Sequence, residues 1–200
     1  LFLNRSETLD FEQNDIKTWD LKKIVEKIIF HYLQSLINPD DLKQINIQIY
    51  DPVIIKDSTA RQFRPTLYDF LAHRAIDFFI NTEPDLIKPA YKFELDNEDY
   101  FLTPDKFIKL SLNTTDTLSF KFYALSLLQY MEKFHINDEN PAALIDLSLK
   151  RIKFVKNNST LDTKDSLFLE NLKALEKKYF DNQYSTLISY EIAAEYFRTG

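Results

Sequence analysis

Residues 140–159 read NPAALIDLSLKRIKFVKNNS. Ile145, Leu149, Ile152 and Val155 recur at intervals of three and four, so they share one face of a helix. Leu144, Leu147 and Phe154 add a second apolar face. A helix apolar on two faces is an inner one, sandwiched between neighbours. Asn140 is a capping residue, Pro141 suits the first helical position, and Asn157-Asn158-Ser159 breaks the run.

The flanking sequence supplies the neighbours. On the N-terminal side, from about Asp116, a helix running to His135 carries Phe120, Ala124, Leu127, Met131 and Phe134 on one face. On the C-terminal side Thr163 can cap a helix whose main face is Phe168, Leu172, Leu175 and Tyr179. After the break at 180–183, a last helix places Leu187, Tyr190, Ala194 and Phe197 on one face, with Ile188 and Ile192 beside it. Loops of about four to eight residues between these helices imply antiparallel neighbours.

The N-terminal part is less regular. Leu21, Ile24, Val25, Ile28, Ile29, Tyr32, Leu33 and Leu36 make one apolar stripe on a helix from about Thr18 to Ile37, which Asn38-Pro39 ends. A short helix fits 40–44. Ile45, Ile47 and Ile49 alternate as in a strand, but no partner strand follows, so 40–60 reads as an extended loop. A helix opens at Pro65 with Leu67, Phe70, Leu71, Ala75, Phe78 and Phe79 on its apolar face, and ends near Asn81. Residues 88–96 read as extended, and Thr103-Pro104 starts a short helix through Lys109. The expected fold is all-α: antiparallel helical hairpins stacked as an array, with a long irregular insertion between Asp40 and Asp116. It forms a single domain over 1–200, with N-terminal helices and long loops in 1–115 and hairpins in 116–200.

Composition excludes much chemistry. The chain has 200 residues and no cysteine, so it has no disulfide, thiol nucleophile or cysteine-based zinc site. Its one glycine is Gly200, which excludes P-loops, dinucleotide fingerprints and nucleophile elbows. Net charge is −6 and the pI is near 5.2, which argues against a nucleic-acid surface. The basic clusters 150–156 and 173–178 read as solvated helix faces. No apolar run is long enough to span a membrane. Leu1 at the start and a helix still running at Phe197 give the expectation of a fragment cut from a larger chain.

Few residues suggest a site. Asp69, His73 and Asp77 stand at four-residue intervals and share one helix face. They fit either a general base oriented by a carboxylate or, since no nucleophile is nearby, a local helix ion pair or a buried polar network joining this helix to the next. Arg74 reads as half-buried and paired with a carboxylate. The three histidines lack zinc-site spacing, and the acidic stretches Glu94–Asp99 and Asp138-Glu139 lack the glycine of a calcium loop. Neither catalytic residues, cofactor nor metal are called for. Tyr91, Phe93, Tyr100 and Phe101 lie outside helix patterns; they pack the loop onto the helices or, if exposed, form a partner surface. Asp57-Ser58-Thr59, Asp116-Thr117-Leu118 and Asp165-Ser166-Leu167 are similar to a three-residue periplasmic O-glycosylation acceptor, although the last two also suit helix starts.

Two resemblances go further. The stretch 172–179 through 189–197, ending Ser189-Tyr190-Glu191-Ile192-Ala193-Ala194-Glu195-Tyr196-Phe197, resembles a bacterial tetratricopeptide-type repeat (TPR). Phe180 and Gln183 stand where that family usually has prolines, so the repeat is degenerate, and small Ala193 and Ala194 fit a close helix crossing. The segments Asn4–Thr8, Thr18–Lys23, Phe63-Arg64-Pro65-Thr66-Leu67-Tyr68-Asp69-Phe70-Leu71-Ala72-His73-Arg74-Ala75, Lys88–Tyr91 and Phe134–Asn140 resemble the N-terminal helical region of the large alpha-2-macroglobulin-family proteins of Bacteroidetes. That resemblance implies a very large protein of the cell envelope, in the periplasm or on the cell surface, associated with trapping or inhibiting proteases. The bait region and macroglobulin domains are expected outside these 200 residues. The expected role of this segment is a non-catalytic scaffold or protein-interaction module whose partner is protein. The alternatives are a stand-alone TPR-like peptide-binding adaptor and an enzyme using His73.

Overall fold

The computed structural model describes residues 15–55, 60–81 and 91–199. Among them lie eight α-helices: α1 Leu21–Gln34, α2 Pro39–Gln44, α3 Leu67–Asn81, α4 Pro104–Phe107, α5 Phe120–His135, α6 Ala142–Asn158, α7 Lys164–Lys178 and α8 Ser185–Thr199. Backbone pairing is limited to isolated bridges at Asn46–Thr66 and Leu95–Ser159, so among the described residues the chain is all-α, as its periodicity predicts. Residues 57–59, one of the candidate acceptor triplets, lie outside the described residues.

Local chemistry sets the boundaries. Asp20, rather than Thr18, caps α1 by accepting from Lys23 N at 2.7 Å. Thr18 instead closes a 3-10 turn with its hydroxyl on Asp15 O. Asn38 adopts φ 62, a left-handed geometry that asparagine tolerates, and Pro39 then starts α2. Pro65 precedes the cap of α3 instead of opening the helix. Thr66 Oγ1 and Asp69 N lie 3.2 Å apart while Asp69 Oδ2 accepts from Thr66 N at 2.9 Å, a reciprocal capping pair. The alternating isoleucines do not form an extended loop. Ile47 N donates to Pro65 O and Leu67 N to Ile45 O, and 47–50 is a 3-10 turn with Ile47 fully buried and Ile49 exposed.

The inner position expected of α6 is observed. Both of its faces are buried, from Ala142 and Leu144 to Phe154 and Val155. It packs on α5 and α7; α3 lies against α5, and α8 against α7. One continuous hydrophobic cluster runs from Val25 of α1 to Ile188 of α8.

Residues 91–119, ahead of α5, are irregular but not loose. Phe93, Leu95, Phe101 and Phe107 are buried in that cluster, each contributing about 1.5–3 kcal/mol of apolar burial. A buried irregular segment needs partners for its carbonyls. Side chains from three helices provide them. Arg151 of α6 donates from Nη1 to Tyr100 O at 2.5 Å and from Nη2 to Leu102 O at 2.7 Å. Asn171 of α7 donates to Phe101 O. Gln129 of α5 donates to Phe107 O and Leu110 O, both at 2.9 Å. Arg151 is itself fully buried, pairs through Nε with the fully buried Glu132 at 2.8 Å, and stacks 4.1 Å from the Phe107 ring centroid.

Removing one partner of such a pair leaves a buried charge unpaired. Arg151→Met is expected to lose about 3–5 kcal/mol in urea unfolding. Arg151→Lys recovers little of this, because an ammonium lacks the planar fork that reaches three acceptors. The double variant Arg151→Met/Glu132→Leu recovers only part, since the Tyr100 and Leu102 carbonyls still lack a donor.

Candidate functional site

The Asp69, His73, Asp77 face does not operate as one cluster. Asp69 is fully buried and bonds away from His73: Oδ1 meets His135 Nε2 at 2.7 Å and Oδ2 holds Thr66. His135 Nδ1 meets Asp138 Oδ2 at 2.6 Å. With a carboxylate on each ring nitrogen, both nitrogens donate only in the imidazolium form. Burial alone would lower the His135 pKa, but the bonds and charges of Asp69 and then Asp138 hold it above the ordinary value. His73 and Asp77 converge instead on Lys150 of α6, whose Nζ lies 3.2 Å from His73 Nδ1 and 2.6 Å from Asp77 Oδ1. His73 is 1% exposed, and burial, Lys150 and Arg64 push its pKa down to about 2. A general base needs an orienting carboxylate and access to substrate. Asp69 is committed to His135 and Thr66, and His73 accepts from Lys150.

The basic run on α6 is not a solvated face. Lys150 reaches Asp77 of α3, Arg151 reaches Glu132 of α5, Lys153 reaches Glu191 of α8 at 2.6 Å, and Lys156 pairs with Glu195 of α8 and Asp165 of α7. One helix thus pairs with four others. By contrast Lys173, Lys177 and Lys178 stay exposed, as expected. Arg74 is exposed, with its guanidinium 5.9 Å from the Phe70 ring, not half-buried on a carboxylate.

The aromatic partner surface also needs correction. Phe93 and Phe101 are buried in the core and Tyr100 is half-buried, packed with Phe93 at 6.3 Å; Tyr91 alone of the four is well exposed, at 78%. The segment closes onto α5, α6 and α7, so its rings are used internally.

The apolar surface lies on α8 instead. Of the face Leu187, Tyr190, Ala194 and Phe197, Tyr190 is 69% and Phe197 91% exposed, Leu187 is exposed at its edge and Ala194 is half-buried. The buried side is Ile188, Glu191 and Glu195, and Ala193 is exposed rather than set in a helix crossing. On that side Glu191 meets Lys153 and Glu195 meets Lys156. Leu187 and Tyr190 border a cleft of about 620 Å³ between α3, α6 and α8, which Asp77, Asp146, Lys150 and Phe154 also line. Burial pushes the Asp146 carboxyl up, against the pull of Lys150 and Arg64.

Other candidates fall into structural roles. Glu94 pairs with Lys92 and Lys121, Glu98 accepts from Thr163, and Asp116 accepts from Phe93 N and Leu118 N. Ser166 donates to Thr163 O, as a helix-start serine does. Among the described residues no group of three or more His, Asp or Glu side chains is placed to hold a metal. Comparison of the chain with protein-family models, with curated proteins and with solved structures finds no match.

The two histidines give opposite pH signatures. His135 has a raised folded pKa, so its stabilisation is complete below its unfolded value of about 6.5 and is lost as pH rises through the folded value. His73 has a lowered one, so the folded state loses stability as pH falls below about 6.5, by roughly 2 kcal/mol between pH 7.5 and 5. Urea unfolding across pH 5 to 9 is expected to show His135→Gln losing most relative to wild type at the acid end. His73→Gln gains on wild type as pH falls.

Proposed function

We propose that this chain is a non-catalytic helical scaffold, its hairpins stacked in a tetratricopeptide-like array, that presents the outer face of α8 to another protein element. The observation that carries this reading is the stripe Leu187, Tyr190 and Phe197. It has the spacing of a packed helix face, yet it is left in solvent while α8 turns its glutamates inward. Exposed apolar stripes of this kind mark interaction sites, and helical arrays bury such a face against the next unit. The burial of His73 and its bond to Lys150 support the non-catalytic part.

In this reading the unit that covers α8 belongs to a large envelope protein of the alpha-2-macroglobulin kind, periplasmic or on the cell surface. The resemblance across 63–75 and 134–140 supports that assignment. The second reading is a stand-alone TPR-like adaptor. The cleft favours it, because it is lined by α3, α6 and α8, and among the described residues neither 40–55 nor 91–115 contributes a lining residue.

Fractionation of the native source followed by immunoblotting separates the two. A band far above 100 kDa in the envelope supports the macroglobulin-like reading, whereas a band near 24 kDa in the cytosol removes it and leaves the adaptor. For the face itself, Tyr190→Glu/Phe197→Glu is expected to change unfolding free energy by less than about 0.5 kcal/mol, as surface changes do. The same pair is expected to reduce binding of a hydrophobic dye such as anilinonaphthalene sulfonate. A large loss of stability would mean these rings are structural.

A further inference from the structure

The apolar stripe of α1 is wider than the surface that covers it. Val25 and Ile29 are buried, but Ile24 and Ile28 are only half-buried. Tyr32 holds α1 to α3, its ring 4.9 Å from that of Phe78 and 5.5 Å from that of Phe79. Beside this contact a groove of about 650 Å³ stays open, floored by Trp19, Ile24, Ile28, Tyr32, Leu71 and Phe78. Lys27 and Arg74 are the charged residues that line it, beside His31 and Ser35, and no carboxylate is among the described residues that do. Lys27 lies over the Phe30 ring at 5.5 Å and Arg74 over Phe70 at 5.9 Å, so these two cations rest on rings. On a chain of net charge −6, a basic rim around an apolar floor is a local feature and not a reflection of composition.

We infer that this groove seats an amphipathic helix of a protein partner, apolar on the face that enters the groove and carrying carboxylates on both flanks. A helix fits better than an extended peptide, because α1 and α3 satisfy their own backbone groups and offer no edge for strand addition. The apolar face of such a helix would cover Ile24, Ile28, Leu71 and Phe78. Its carboxylates would meet Lys27 and Arg74, which fix orientation and speed association. The inference rests on the reading of the chain as a protein-interaction scaffold, but it concerns a different face from α8.

Trp19 is the one tryptophan of the chain and lines the groove, so its emission reports occupancy directly. The test titrates the full 200-residue chain with a designed helical peptide of about 16 residues, long enough to hold a helix on binding, bearing leucines on one face and glutamates on both flanks. Controls are its lysine-flanked counterpart and vesicles of anionic phospholipid. The expected result is a saturable blue shift of Trp19 with the glutamate peptide, weakened by salt. The lysine peptide should bind at least about tenfold more weakly. Lys27→Glu/Arg74→Glu, two changes at the rim, should reverse that preference, and Ile28→Asp should abolish the shift. Equal binding of both peptides would overturn the inference, as would a response to vesicles alone. A Trp19 already blue-shifted and unresponsive to every ligand would overturn it too, by showing that the groove is filled by the chain itself. None of these failures touches the α8 face, whose own test is the dye-binding of the Tyr190→Glu/Phe197→Glu pair.

Discussion

The buried guanidinium of Arg151 is the group on which the arrangement depends. It lies within the inner helix, where a positive charge is tolerated only with full satisfaction of its donors. Glu132 supplies the countercharge, and the Tyr100 and Leu102 carbonyls accept from the two terminal nitrogens. Each partner solves the problem of another. The arginine needs acceptors, and an irregular buried segment needs donors for carbonyls that no helix or sheet pairs. Asn171 and Gln129 extend the same solution to the carbonyls of Phe101, Phe107 and Leu110. Residues 93–110 thereby become part of the core rather than an appendage to it.

The other cations of α6 carry the consequence to the surface. Lys153 and Lys156 pair with Glu191 and Glu195 on the side of α8 that also buries Ile188. The opposite side, which meets solvent, is apolar at Tyr190 and Phe197. Leu187, Tyr190 and Phe197, which share a face by spacing, are thus the exposed ones. Lys150, one turn earlier, ties α6 to α3 through Asp77, and it adds to the burial that holds the His73 pKa low.

The helices from α5 onward were readable because their apolar residues repeat with the helical period, and α6 announced itself as inner by carrying two such faces. What escaped was every feature set by a partner distant in sequence. Asp69 meets His135 across 66 positions, so its local spacing from His73 was misleading. The buried side of α8 meets lysines more than thirty residues earlier; the clue was present in Glu191 and Glu195, four apart and able to face a basic helix. Phe93 and Phe101 gave no periodic signal, because their burial depends on side-chain donors to backbone carbonyls, which leave no pattern in composition. Arg74 looked half-buried from its place between Leu71 and Phe78, yet one helical step carried it into solvent.

The most direct test of the account is native-state hydrogen exchange of the wild-type chain. The amides of Tyr100, Leu102, Lys106 and Phe107 bond within the irregular segment. If Arg151 makes that segment part of the core, these amides exchange only through the global opening, with the same free energy and denaturant dependence as those of α5 and α6. Exchange through a local opening of much lower free energy, with α5 and α6 still protected, would show that the segment is an independent loop and would contradict the account.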